Sequence, residues 1–220
     1  ASGEATSLGL AAESRSPSFL ALHPHGLFLY AANETGDFDE QKSGAVSAFA
    51  IDRATSKLTF LNQVSSRGGG PCYITVDKSG RNALAANYGG GSVAAFPLQQ
   101  DGHLGAASAF VQHAGSSVNR ERQQRPHAHS IDLSPDNRFA LVADLGLDEV
   151  RVYRFDARKG SLVANQPAFA RLHPGTGPRH LAFHPSGKFV YVINELASTV
   201  STLSYNARAG SLYELQTIST

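Results

Sequence analysis

Pro178-Arg-His-Leu-Ala-Phe-His-Pro-Ser-Gly187 decides the reading of this chain, because three other stretches align with it. They are Pro17-Ser-Phe-Leu-Ala-Leu-His-Pro-His-Gly26, Pro71-Cys-Tyr-Ile-Thr-Val-Asp-Lys-Ser-Gly80 and Ala128-His-Ser-Ile-Asp-Leu-Ser-Pro-Asp-Asn137. Their starts lie 54, 57 and 50 residues apart, and sixteen residues after its start each reaches Asn33, Asn87, Asp144 or Asn194. A fixed period of this size marks a repeat architecture.

Within each unit the apolar runs are short, alternating or β-branched, and the turns between them are rich in Pro, Gly, Asn and Asp, which reads as hairpins. The second runs are Phe28 to Ala32, Ala83 to Ala86, Phe139 to Ala143 and Phe189 to Ile193; third runs start at Val46, Val93, Val150 and Val200. Fourth runs follow, the last of them Leu212 to Ile218. No i, i+3, i+4 helical pattern intervenes. Four strands at a period near 50 predict an all-β fold of four-stranded propeller blades, with units over roughly 17–70, 71–127, 128–177 and 178–220 of a single domain, 1–220. About four blades are present, and no closing partner is evident beyond Leu212 to Ile218.

The composition narrows the partners. Nineteen Lys and Arg against eighteen Asp and Glu leave +1, so no field of one sign recruits nucleic acid or an anionic membrane. No run reaches the roughly 18 apolar residues of a membrane span. Cys72 is the single cysteine, which excludes an intramolecular disulfide. The sequence contains no Met and starts at Ala1, so the natural N-terminus is expected upstream or processed. Cytoplasm is the default compartment, with the periplasm or secretion open. The oligomeric state is open too, although an incomplete propeller would expose strand edges, a route to self-association.

In each hairpin the start of the first strand meets the end of the second. A turn centred on Gly187 sets Arg179 opposite Glu195; the same arithmetic sets His129 near Leu145 and its neighbour Asp144, and Cys72 near Tyr88 and Asn87. Asn33, Asn87, Asp144 and Asn194 therefore gather at one rim with His129, Arg179 and Glu195. Asn and Asp at strand ends commonly cap turns through side-chain to backbone hydrogen bonds, the leading reading for that series. Its members Asn87, Asp144 and Asn194 also stand as candidate substrate contacts. His23 and His184 read as surface turn residues. Arg179 and Glu195 read either as a cross-strand ion pair or as a device that positions water and holds an anionic group. A long polar loop from Gly115 ends in His127-Ala-His129, whose alternation sends both rings to one side. An H-x-H pair can bind metal, but no third ligand has a suitable spacing, so none is assigned.

Arg125-Pro-His-Ala-His-Ser130, Ala143-Asp-Leu-Gly-Leu-Asp148 and Gly177 to Pro185 followed by Val192-Ile-Asn-Glu-Leu196 resemble the seven-bladed propeller lactonases. That family includes 6-phosphogluconolactonase and is related to fungal carboxy-muconate cyclase. The resemblance covers essentially the whole chain. Family members are longer, so it implies the end of a first blade, three middle blades and most of a fifth. It further implies a site of His129, Arg179 and Glu195, a further Arg beyond Thr220, and His127, His180, Arg122 and Gln123 as additional candidates around the substrate. The implied activity is cofactor-free hydrolysis of a sugar lactone such as 6-phosphogluconolactone to its acid, in the pentose phosphate pathway. A lactone-forming cyclase and a non-catalytic propeller that binds a ligand or protein are the alternatives. A perturbed pH profile with a basic limb near neutral would mark the enzyme; binding without turnover would mark the module.

Overall fold

A computed structural model describes residues 3–220, so Ala1 lies outside the described residues. Sixteen strands form four antiparallel sheets, each built in chain order from one repeat. The first holds β1 (Pro17–Leu22), β2 (Phe28–Asn33), β3 (Ala45–Ile51) and β4 (Leu58–Ser65). The second holds β5 (Pro71–Val76), β6 (Asn82–Asn87), β7 (Ser92–Pro97) and β8 (Ala109–Gln112). The third holds β9 (Ala128–Leu133), β10 (Phe139–Asp144), β11 (Glu149–Asp156) and β12 (Ser161–Arg171). The fourth holds β13 (Pro178–Phe183), β14 (Phe189–Asn194), β15 (Thr199–Asn206) and β16 (Ser211–Ser219). The fold is thus all-β with propeller blades. It corrects one expectation: β1 to β4 form a whole sheet and so do β13 to β16, giving four complete blades where parts of five were expected.

Burial shows how the blades stack. In β6 and β10 every residue is buried, whereas β14 alternates between buried and exposed. A sheet packed on both faces needs apolar or small side chains at every position; one packed on a single face needs them at every second position. The second and third sheets are therefore sandwiched. The first and fourth expose Leu20, Leu22 and Phe60, and Tyr191, Ile193 and Tyr213. Three cores fill the spaces between successive sheets: Tyr30, Val46, Ile74 and Phe96; then Leu84, Val93, Ile131 and Tyr153; then Leu141, Val152, Leu181 and Leu203. Each buried side chain of this size contributes about 1.5–3 kcal/mol.

The first hairpin of every blade turns through a residue in the left-handed region: Gly26, Gly80, Asn137 and Gly187, with φ between 61° and 68°. Only Gly, or Asn at small cost, suits that conformation. A Cβ on Gly80 would also meet the ring of His23 at 2.4 Å. His23 is not the surface residue its turn suggested. It is buried, and its Nε2 lies 3.0 Å from Gly80 O, locking the first blade to the second.

Candidate active site

The four inner strands share one irregularity at their second residue. In β1 and β2, Pro17 pairs with Asn33 and Phe19 with Ala32, leaving Ser18 without an opposite. The same slip leaves Cys72, His129 and Arg179 unpaired in β5, β9 and β13. A bulge re-aims the side chain it carries. All four bulge residues line a single pocket of about 390 Å³. The residue just past each second strand completes the rim: Glu34, Tyr88 and Glu195 line the pocket, while the third-blade equivalent, Leu145, is buried in the core.

The bulge also changes the pairing inferred from hairpin symmetry. The fourth-blade turn centres between Ser186 and Gly187, so Phe183 pairs with Val190 and His180 with Ile193. Arg179 therefore faces no single partner across the ladder. It still reaches the rim because the bulge swings it there, and its Nε lies 3.0 Å from Glu195 Oε2.

Glu195 is the centre of the polar arrangement. Arg122 Nη2, from the long loop before β9, donates to Glu195 Oε1 at 2.6 Å and to the Tyr88 hydroxyl at 3.1 Å. His129 Nε2 lies 3.7 Å from Glu195 Oε2, beyond a direct hydrogen bond. Partial burial opposes ionisation of Glu195. The hydrogen bond and charge of Arg122, with the contributions of His129 and Arg179, outweigh it and hold the carboxyl below its usual value. Burial, reinforced by the charge of Arg179, lowers His129 to about 4, so its imidazole is neutral at physiological pH. Burial and Arg179 lower His180 as well. Cys72 Sγ sits 3.3 Å from His129 O and 3.6 Å from His129 Nδ1. Burial and then the Glu34 charge push its thiol up to about 12, so it stays protonated.

Beneath this layer lies a floor of rings. Phe19 stacks on Tyr73 at 4.1 Å, and the edge of His180 meets Tyr73 at 5.2 Å and His129 at 5.2 Å. The Tyr73 hydroxyl donates at 2.9 Å to Asp132 Oδ1, and burial raises that carboxyl to about 7.

His129, Arg179, Glu195, Arg122 and His180 thus converge on the pocket. The other named residues stand behind it. The His127 ring stacks on Tyr88 at 4.4 Å and its Nδ1 lies 2.9 Å from Tyr88 O, so it props the residue that holds Arg122. Asn87, Asp144 and Asn194 are buried and absent from the pocket lining. Asn87 Nδ2 donates to Ser66 O and Ser92 Oγ; Asn194 Nδ2 donates to Thr199 Oγ1 and Ser201 Oγ. Asp144 accepts from the backbone of His127 and Gly146 and pairs with the buried His113 at 2.5 Å. This geometry gives the series a role in holding the rim. Glu34 escaped the reading of the sequence, and Tyr88 was placed beside Cys72 at the rim without being named a site residue, although both occupy the repeat position of Glu195. Among the described residues no three His, Cys, Asp or Glu side chains gather to hold a metal.

The family described as "Lactonase, 7-bladed beta-propeller" matches residues 1–220. The chain belongs to the seven-bladed β-propeller lactonase family. Among its relatives, 6-phosphogluconolactonase of Bacillus subtilis is 37% identical over 211 residues, covering 96% of this chain and 57% of the relative. A 6-phosphogluconolactonase of Formosa agariphila is 33% identical, over 91% of this chain and 56% of its own. The periplasmic gluconolactonase of Pseudomonas aeruginosa superposes with a TM-score of 0.87 at 33% identity, covering 95% of this chain and 59% of that one. This lactonase-family chain thus spans somewhat more than half the length of these relatives.

Proposed function

We propose that this chain forms part of a lactonase that opens a sugar lactone, such as 6-phosphogluconolactone, to its acid over the channel mouth. The observation that carries the reading is Glu195 bracketed by Arg122 and Arg179 beside a neutral His129. A water seated between His129 Nε2 and Glu195 Oε2 attacks the lactone carbonyl, forming the new C–O bond as His129 takes its proton. The Arg179 amino groups, which have no protein partner among the described residues, stabilise the developing oxyanion. Collapse breaks the bond to the ring oxygen, which recovers the proton from His129. Glu195 holds the water and both guanidiniums; the protonated Cys72 is not a nucleophile. The balance of this step requires no cofactor. Relatives named for 6-phosphogluconolactone and gluconolactone support the substrate class.

The test is proton release from 6-phosphogluconolactone and from unphosphorylated gluconolactone, each measured against its spontaneous hydrolysis. Acceleration of either supports the lactonase reading, and the ratio names the preferred substrate. Tight binding of gluconate without acceleration of either lactone would replace it with a non-catalytic binding role.

A further inference from the structure

Asp148 lies outside the pocket, in the turn between β10 and β11, at a left-handed φ of 56°. It is 1% exposed, yet its carboxylate accepts from four donors. Oδ1 takes Gln123 Nε2 and Gly177 N, both at 2.8 Å, with Thr176 Oγ1 3.3 Å away and donating at 2.8 Å to His173 O. Oδ2 takes Ser117 Oγ at 2.5 Å and Gly175 N at 2.7 Å.

These donors come from the loop that carries Arg122 and from the loop that leads into the strand carrying Arg179. Ser117 and Gln123 belong to the loop that presents Arg122. Gln123 is fully buried; its Nε2 also donates to Leu145 O and its Oε1 accepts from Asn119 N, so Arg122 projects from a pinned neighbour. Gly175, Thr176 and Gly177 form the loop leading into β13, two residues before Arg179. Gly177 O in turn accepts the backbone N–H of Glu195 at 2.8 Å. Gly177 itself has φ 62°, and a Cβ there would meet Leu196 Cγ at 2.5 Å, which leaves the loop little freedom to move.

We propose that Asp148 is the positioning residue that sets Arg122, Arg179 and Glu195 against one another. One buried carboxylate holds the Arg122 loop through Gln123 and holds both Arg179 and Glu195 through Gly177. Loops are the mobile part of a fold, and a polar network fully satisfied in a buried site is what makes them rigid. Asp148→Asn turns donor groups toward donors and releases both loops; Gln123→Ala releases only the Arg122 arm.

The test reads Glu195 directly, by 13C NMR titration of its side-chain carboxyl, assigned with Glu195→Gln. When Arg122 drifts away the midpoint rises: by about one pH unit in Gln123→Ala, and further in Asp148→Asn. Asn165→Ala controls for destabilisation alone. Asn165 is equally buried but serves Arg154 and the Ala209 carbonyl, and its loss leaves the Glu195 midpoint in place. Turnover, the only arm that rests on the lactonase reading, falls at least tenfold in kcat for Asp148→Asn with KM nearly unchanged. A shifted midpoint in a protein without lactone turnover supports the positioning role and removes the lactonase reading. An unmoved Glu195 midpoint in Gln123→Ala overturns the positioning role, whatever the activity and whether or not Asp148→Asn folds.

Discussion

Arg122 Nη2 lies 2.6 Å from Glu195 Oε1, although the two are separated by 73 positions in the chain. One comes from the loop between the second and third blades and the other from the rim of the fourth. Their meeting ties the second blade to the fourth across a pocket that all four blades line, because the same guanidinium rests on Tyr88 of the second.

Arg122→Ala should lower kcat/KM about 10- to 100-fold, as expected for a charge-assisted bond to a group in the site. Arg122→Lys should restore little. A single ammonium on a flexible stem does not reproduce the fork that bridges a phenol and a carboxylate. Steady-state kinetics of both variants check this; full activity of the lysine variant would show that charge alone suffices.

The pH profile follows from two depressed groups. Activity needs His129 neutral and Glu195 ionised, so kcat/KM should be level from pH 5.5 to 8, to within about a factor of two, and fall on the acid side near the His129 value of about 4. An ordinary histidine titrates near neutral. Burial of the ring accounts for the difference. A limb at about 6.5 would show that His129 is solvated in the working enzyme.

Asp132 gives a stability prediction of opposite sign. Its folded value of about 7 lies above its unfolded value, so the fold favours the protonated acid. The stability this contributes is complete below the unfolded value, near 4, and is lost as pH rises through about 7. Asp132→Asn mimics the neutral form. It should gain about 2 kcal/mol over the parent at pH 8 and close to nothing at pH 4, measured by urea unfolding at both values.

The blades were legible because every repeat restates the same local chemistry: an apolar strand, a left-handed turn residue at Gly26, Gly80, Asn137 or Gly187, and a second strand ending in Asn or Asp. The proximity of Arg179 to Glu195 was legible for the same reason, since one hairpin contains both. The bulge that aims Arg179 was not, because it depends on how four inner strands crowd one axis. Glu34 and Tyr88 were within reach, lying three and two repeats before Glu195 and in register with it, but that comparison rewards only residues recognised as a series. Gln123 was named as a substrate contact and is instead fully buried against Asp148, and Asp148 itself was out of reach. Their partnership joins turns that no local pattern connects, and each alone looks like an ordinary loop residue. His23 was misplaced for a related reason: its turn is exposed in isolation and becomes buried only when the next blade packs against it.

The central claim is that this rim opens lactones, and Arg179→Ala tests it most directly. Its side chain lies partly open to the pocket and supports no core, so circular dichroism and melting temperature should match the parent. The account predicts accelerated proton release from a sugar lactone by the parent and a loss of at least about a hundredfold in the variant. Undiminished turnover by Arg179→Ala, or a parent that leaves both lactones at their spontaneous rates, would contradict it.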